Sequence, residues 1–332
     1  MDREGPMGRP VTACICILAA VALFVLNSEL MQAESAAVPP FFMIWLCHSG
    51  QALFVPLAPA APPPTAASAA PTALLRPVSR AAFALSVGTM TCNYLFVVAL
   101  GMASVTVVNA IYMGSIGPTY LLSIALLGER PRAPKQLAVA VVLVGIGLMA
   151  ADGPPEGGDG GAVGGAVGSS RAGVAVAVLS SMVAACQKVL FKRLVGEAAS
   201  PAETLRVLGC IGLCHLLCLW PGMLLLHVTR LEPFSLPAAG DARGLCVTVA
   251  LALCVNLLST HALFLTGPVF SSAGFALTIP ASALADAALH DGKITTTQLG
   301  GMCSILVGFV AMACMSDGGA PPATTELKQS AA

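Results

Sequence analysis

Long apolar runs separated by short polar breaks dominate the chain. Residues 11–28, 81–128 and 244–285 contain no Asp, Glu, Lys or Arg. A helix needs roughly 20 apolar residues to cross a bilayer, so each of the two longer runs accommodates two spans. The pattern predicts ten membrane spans. They are 11–28, 38–57, two within 81–128 joined by a turn near 101–104, 135–151, 172–194, 207–229, two within 244–285 divided at Gly267-Pro268, and 297–315.

The breaks between the runs recur at a fixed distance. Pro118 and Pro280 are 162 residues apart, and residues 143–150 share five of eight positions with residues 306–313. Transporters are often built from such internal repeats. We therefore divide the chain into a first five-helix repeat (11–151), a Gly-rich linker (152–171), a second five-helix repeat (172–316) and a polar C-terminal tail (317–332). Gly117-Pro118, Gly267-Pro268 and Pro280 are candidate bending points.

The basic residues predict how the spans are oriented. With the N-terminus in the cytoplasm, the cytoplasmic segments carry eleven Lys and Arg residues and the opposite side carries four. Cytoplasmic loops of membrane proteins show this bias. Because ten is an even number, both termini then lie in the cytoplasm. Because five is an odd number, the second repeat starts on the opposite side of the membrane and is inverted relative to the first. We expect an all-α polytopic membrane protein with ten transmembrane helices as two inverted five-helix repeats, an architecture used for alternating access.

Composition supports a membrane protein and excludes some functions. Hydrophobic residues make up 57% and charged residues 10% of the chain, and the net charge is zero. A soluble chain carries about 25% charged residues, and a nucleic-acid-binding protein is usually basic. Neither an HExxH nor a GxSxG pattern is present, so we expect no enzyme and no cofactor.

The twelve cysteines form no CxxC pair and are expected to be apolar packing residues. Cys210, Cys214 and Cys218 share one helix face. His215 is predicted to point away from that face, so no metal site is expected there.

Polar side chains near the bilayer midplane are costly and usually face a cavity or another helix. A substrate cavity between the repeats needs some of them as hydrogen-bond partners, and the alternative for each is a polar contact between helices. The substrate-binding candidates are Asn93, Tyr94, Asn109, Tyr112, Lys188, Asn256, Thr278 and Asp286, with Glu29, His48 and His215 as weaker candidates.

The charged candidates leave alternatives open. Lys188 either snorkels to the interface or faces the cavity as a cation that pairs with an acid or a substrate anion, whereas Lys192 is expected to snorkel. Asp286 is a counter-ion for a cationic substrate, a proton-carrying site or an interfacial acid. The same three interpretations apply to Glu29, with the interfacial one favoured.

Four segments carry a resemblance to a known family. They are residues 39–45 (PPFFMIW) with 54–56 (FVP), 93–95 (NYL) with 104–106 (SVT), 188–192 (KVLFK), and 277–281 (LTIPA) with Asp286. Together they resemble the F-type branch of solute carrier family 35, within the drug/metabolite transporter superfamily. The resemblance implies an EamA-like fold and secondary transport of a small organic solute, thiamine or a related cationic or neutral metabolite, by alternating access.

Two other functions stay open, a Golgi nucleotide-sugar antiporter and a non-transporting membrane scaffold. Carriers of phosphorylated substrates are expected to place paired basic residues in the later helices, and residues 244–285 contain none. The expected partners are a small-molecule substrate and the lipid bilayer, not nucleic acid. Coupling to a proton or a counter-substrate, a homodimer, and location in the plasma membrane or in Golgi and other endomembranes are all compatible with the sequence.

Overall fold

The computed structural model describes residues 8–34, 38–58, 79–103, 105–151, 171–195, 201–234, 242–289 and 294–316. Within these ranges the chain forms helices and no strand. Ten helical stretches are long and apolar enough to cross a membrane, in agreement with the ten predicted spans. Most of the Ala/Pro-rich connector after the second span, the Gly-rich linker and the C-terminal tail lie outside the described residues.

Six of the ten spans are single helices and four are divided into shorter segments. The helices are α1 (Gly8–Glu34), α2 (Pro40–Ser49), α3 (Phe54–Leu57), α4 (Arg80–Leu100), α5 (Val105–Met113), α6 (Ile116–Leu127), α7 (Ala133–Ala151), α8 (Arg171–Val195), α9 (Pro201–Cys218), α10 (Trp220–Val228), α11 (Ala242–Thr266), α12 (Pro268–Ala276), α13 (Thr278–Leu289) and α14 (Thr296–Ser316). A 3-10 turn (Gly50–Leu53) joins α2 to α3. The divided spans are the second (α2, the 3-10 turn and α3), the fourth (α5, α6), the seventh (α9, α10) and the ninth (α12, α13).

The predicted divisions of the two longest apolar runs are confirmed. A turn at residues 101–103 separates α4 from α5, and Gly267 separates α11 from α12. Gly267 has φ +122°, which a side chain would strain. The seventh span begins at Pro201 rather than at residue 207. Proline suits the first helical position and Glu203 favours the first turn, so the helix starts before the apolar run does.

The divided spans are interrupted at corresponding positions of the two halves. Pro118 is the third residue of α6, and Pro280 is the third residue of α13. A proline ring clashes with the carbonyl four residues earlier, which ends the preceding helix there. The bend predicted at Gly117-Pro118 therefore lies a few residues earlier, between Met113 and Ile116. Pro56, the third residue of α3, and Pro221, the second residue of α10, follow the breaks in the second and seventh spans in a similar way.

Helix packing follows the same correspondence between halves. The first span packs against the eighth and the third against the sixth, while the fifth packs against the tenth and the second against the seventh. Exchanging every span for the one five positions away leaves this set of pairs unchanged. The set of packed pairs is therefore symmetric between the first five spans and the last five.

The contact between α7 and α14 shows the correspondence residue by residue. Gly145 lies against Gly301 and Ile305, and Gly308 lies against Val142 and Ala138. An offset of 163 residues, the one that aligns residues 143–150 with 306–313, converts the first set of contacts into the second. As the residue number rises along α7, the residue number of its contacts on α14 falls, so the two helices run antiparallel.

Candidate functional site

Side chains from four of the ten spans meet around the ammonium group of Lys188. Its Nζ donates to Ser272 Oγ on α12 at 3.1 Å. Cys92 on α4 interacts with Lys188 and also with the hydroxyl of Tyr112 on α5. These four residues, from the third, fourth, sixth and ninth spans, form what we call the lysine site. Both halves of the chain contribute to it.

The charge of Lys188 has only neutral neighbours in the part of the chain that the structure describes. The ion pair found there joins Lys135 to Glu129, at the basic turn between α6 and α7. A half-buried ammonium with a hydroxyl partner is poorly compensated, because a hydroxyl dipole replaces only part of its hydration. The lysine site is therefore suited to an incoming hydrogen-bond acceptor or anionic group.

Lys192, which is expected to snorkel, contacts the end of a neighbouring helix. Its Nζ donates to the carbonyl of Phe264, in the last turn of α11, at 2.9 Å. A cation at a helix C-terminus satisfies an otherwise unpaired carbonyl and interacts favourably with the helix dipole. Lys192 thus fastens α8 to the end of α11, one turn away from Lys188.

A second polar group lies between the second, third and seventh spans. The rings of His48 on α2 and His215 on α9 are stacked, with centroids 5.1 Å apart and planes 22° apart. Asn93 Nδ2 lies 3.1 Å from His48 Nε2, and Gln51 Nε2 lies 3.1 Å from His48 Nδ1. His215 Nδ1 donates to the carbonyl of Ile211 at 3.0 Å. We call His48 and His215 the histidine pair.

The histidine pair was not predicted as a pair, although both residues were weak candidates. The sequence does contain a signal for it. The tripeptide Leu-Cys-His occurs at 46–48 and again at 213–215, once in each half and shortly before the break of its span. The second and seventh spans pack together, and the two histidines meet at that contact.

Tyr94 belongs to a third group, which lies at the end of the molecule where α2 begins. Its ring meets that of Phe41 edge-on at 5.7 Å. Glu232, in the segment after α10, accepts a hydrogen bond from Phe41 N–H at 2.8 Å and interacts with the Tyr94 hydroxyl. Burial raises the pKa of the Glu232 carboxyl, and these two hydrogen bonds offset only part of the increase. We call Phe41, Tyr94 and Glu232 the outer cluster.

The remaining candidates lie apart from these groups or at their edge. Asn256 Nδ2 donates to Ala252 O of its own helix at 2.8 Å, and Asn109 is half-buried on α5. Thr278, just after the break in the ninth span, donates to Phe275 O and lies 3.7 Å from the sulfur of Met113, just before the break in the fourth. The side chains of Glu29 and Asp286 lie outside the part of the structure that is described.

Sequence relatives of the chain include members of one carrier family and an uncharacterized transporter. No protein-family model matches the chain. The chain is 28% identical over 197 residues to human solute carrier family 35 member F3, a match that covers 58% of this chain and 43% of that protein. It is 28% identical over 221 residues to mouse member F4, covering 66% and 43%. An uncharacterized transporter of Schizosaccharomyces pombe is 28% identical over 143 residues, covering 42% and 41%.

These relatives confirm the resemblance to the F-type branch of solute carrier family 35. The match spans about two fifths of the length of each relative. A solved crystal structure also aligns with this chain, with a TM-score of 0.62 at 17% identity, over 92% of this chain and 98% of the other. At that identity the likeness shows a common fold and carries no functional detail.

Proposed function

We propose that this chain, similar as it is to F-type members of solute carrier family 35, is a secondary transporter of a small organic solute that works by alternating access. The lysine site carries the proposal, because side chains of both halves meet there beside the breaks of the fourth and ninth spans. Interrupted helices at the interface of two repeats are where transporters of this kind bind their substrates. The relatives carry the names of carriers and transporters, and no enzymatic activity is proposed.

Layers of packed aromatic side chains on either side of the polar groups support alternating access. Towards the end of α8 and α11, Phe191 and Phe264 meet with ring centroids 5.4 Å apart within a buried apolar cluster. At the opposite end, the outer cluster and the contact between Phe42 and Phe234 close the space beside α2. A carrier needs such closures on both sides, so that one opens while the other stays shut.

The chemistry of the lysine site narrows the substrate class. The resemblance points to thiamine or a related cationic or neutral metabolite. A cationic group is repelled by Lys188, so such a molecule would have to present a neutral acceptor, for example a hydroxyl, to the ammonium. An anionic group would form a charge-assisted hydrogen bond with it. We therefore expect a solute that carries a hydrogen-bond acceptor or one negative group on an otherwise small organic body.

Lys188 also supports the nucleotide-sugar antiporter, because a diphosphate is a strong partner for a half-buried ammonium. Against it, the described part of the lysine site contains one cation and no second one to share the phosphate charge. The antiporter is therefore the second candidate.

Uptake into proteoliposomes separates the candidates. The purified protein is reconstituted and supplied with radiolabelled thiamine, thiamine monophosphate, UDP-sugars and GDP-sugars, with empty liposomes as the blank. Saturable uptake of thiamine or its monophosphate supports the first candidate. Exchange of a nucleotide sugar for its monophosphate replaces it with the antiporter. A protein that moves none of a wide solute panel but keeps a stable partner complex is a scaffold.

The compartment and the orientation are proposals as well. We propose a multi-pass membrane protein with both termini in the cytoplasm. Imaging of a tagged protein against plasma-membrane and Golgi markers identifies the membrane that houses it.

A further inference from the structure

The histidine pair lies where the two halves touch. His48 is 9% exposed and His215 is fully buried. The backbones of the second and seventh spans come close because α9 presents glycines to the 3-10 turn, and a Cβ on Gly212 would overlap the Ala52 nitrogen. A transporter that exchanges its open side must shift these two spans against each other. The stacked rings therefore sit on a moving contact.

The hydrogen bonds of His215 fix where its proton is. Nδ1 faces the Ile211 carbonyl, which only accepts, so Nδ1 carries the hydrogen. Ser86 Oγ donates to the same carbonyl at 3.1 Å. Nε2 of the neutral ring is then an acceptor, and it is buried without any hydrogen-bond partner. A buried lone pair on a basic nitrogen is an open place for a proton.

The partner ring is also neutral. Asn93 Nδ2 donates one hydrogen to the Thr89 carbonyl at 2.9 Å, so this nitrogen end of the amide faces His48 and Nε2 accepts the other hydrogen. His48 Nδ1 must then carry the hydrogen. His48 Nδ1 donates this hydrogen to Gln51 when the Gln51 amide is turned so that Oε1 faces the ring. The pair therefore holds one vacant basic nitrogen, His215 Nε2.

No formal charge surrounds the pair in the part of the chain that the structure describes. No carboxylate, ammonium or guanidinium acts on either ring, and the charged residues of the packed helices lie within the first two turns of those helices. These charged residues are Arg80 on α4, Glu203 and Arg206 on α9, and Arg243 on α11. The other titratable groups of the packed elements are Cys47 on α2, Cys92 and Tyr94 on α4, Cys210, Cys214 and Cys218 on α9, and Cys246, Cys254 and His261 on α11.

We propose that the histidine pair is a proton-binding site that takes up one proton, on His215 Nε2, and couples its movement to the exchange between the two open states. The proposal rests on the proposed transport function. A proton from water adds to the Nε2 lone pair and forms an imidazolium, and the same bond breaks when the proton leaves. The neighbouring ring stabilises one cation through its π face and opposes a second, so the pair binds a single proton.

The enclosure of the pair explains how proton binding is linked to movement. His215 Nε2 is out of contact with water in the closed arrangement, so a proton reaches it only after the second and seventh spans part on one side. A buried imidazolium without a carboxylate is less favourable than one that water reaches, so the protonated pair passes through the closed arrangement only briefly, between one hydrated open state and the other. Release on the other side resets the pair. Protons would thus cross only when the halves exchange.

Proton binding is tested first, without any substrate. The full-length protein, labelled with 15N-histidine in nanodiscs, is titrated by NMR from about pH 4 to pH 9, the range in which histidines change charge. We expect one titration shared by the two buried rings. His215→Asn keeps a donor at the Nδ1 position and removes Nε2, so it should abolish that titration. His261→Gln, which changes the histidine that bonds Thr204 on another contact, is the matched control and should retain it.

Coupling is tested with thiamine as the transported probe. We expect the wild-type protein to accumulate thiamine under a pH gradient, and His215→Asn to lose accumulation while it still exchanges internal for external thiamine. Exchange without any response of the wild-type protein to the gradient overturns the coupling and leaves the transport function standing. If no solute is moved at all, the transport function fails, and the coupling with it. Independent titration of His48 and His215, or no titration of either, overturns the proton site.

Discussion

At the scale of single residues, Lys188 is a charged side chain whose described neighbours satisfy it only in part. Its neighbours are a hydroxyl, a thiol and a phenol, and all of them are neutral. Stabilising an ammonium in that setting depends on water or on a bound solute. An ammonium without an anionic neighbour at the meeting point of four spans therefore fits the proposed role in ligand binding.

Replacing Lys188 by Met removes the charge and keeps most of the volume. We expect solute uptake to fall by about tenfold or more, the loss of one charge-assisted hydrogen bond, while the thermal midpoint in detergent stays the same or rises. Lys192→Met is the matched control one turn away. It gives up the bond to the Phe264 carbonyl and should lower the midpoint, with less effect on uptake. Normal uptake by Lys188→Met would return Lys188 to a structural role.

Residue by residue, the sequence identified polar candidates but not their neighbours. A charged or imidazole side chain in an apolar run is visible in the sequence, and so Lys188, His48 and His215 were found. Glu232 was missed, because an acid in a short loop is ordinary. Its significance comes from the start of α2, which lies almost 200 residues away in the chain.

At the scale of helices, backbone contact between α7 and α14 depends on glycine. A Cβ on Gly145 would lie 2.7 Å from the carbonyl oxygen of Gly301 and 2.9 Å from the nitrogen of Ile305. Both are backbone atoms, which cannot turn aside as a side chain can. Small residues that allow close backbone approach are a general means of joining helices in a membrane.

Two glycines of α7 therefore respond differently to the same substitution. Gly145→Ala should destabilise the protein by about 1–3 kcal/mol, because the helices must separate. Gly147→Ala meets nothing within 4 Å and should stabilise it by about 0.5–1 kcal/mol, by reducing the freedom of the unfolded chain. Thermal unfolding in one detergent compares them. Equal midpoints for the two variants would contradict the close contact.

The outer cluster predicts a pH dependence of stability. The pKa of Glu232 is raised above its ordinary value of 4.5, so the folded protein binds this proton more tightly than the unfolded chain does. The stabilisation is complete below the ordinary pKa and is lost as the pH rises through the raised one. Glu232→Gln should flatten this decline, since the amide oxygen still accepts from Phe41 N–H. The thermal midpoint is measured from about pH 4 to pH 7.

The control for the pH dependence is Glu203→Gln, which removes an acid of the same type from the first turn of α9. It should leave the decline between acid and neutral pH in place. If Glu232→Gln and wild type show the same decline, the carboxyl is not held as the structure shows.

At the scale of the whole molecule, the number of spans followed from the sequence and their arrangement did not. Twenty-residue apolar runs and the prolines that interrupt them are local features of the sequence. The ten spans and the breaks near Pro118 and Pro280 could therefore be predicted. The packing of the first span against the eighth was not, because lipid tails are as apolar as the helices and an apolar face does not reveal its neighbour. The lysine site and the histidine pair depend on those neighbours. For this reason their residues were found one at a time.

The inverted orientation of the two repeats stays a prediction, and it can be tested through the two long segments of the first half. Three spans separate residues 59–78 from residues 152–170, so these segments must lie on opposite sides of the membrane. The positive charges of Arg76 and Arg80 assign the first to the cytoplasm.

Glycosylation of an inserted Asn-x-Thr acceptor reports the side of each segment. None of the four asparagines of the chain has Ser or Thr two positions later, so the chain itself contributes no glycosylation signal. In microsomes we expect glycosylation, seen as a glycosidase-sensitive gel shift, for an acceptor within 152–170 and none within 59–78. The reverse pattern would mean that the whole protein has the opposite orientation in the membrane. Modification of both segments would contradict the three spans between them, on which the inverted repeat depends.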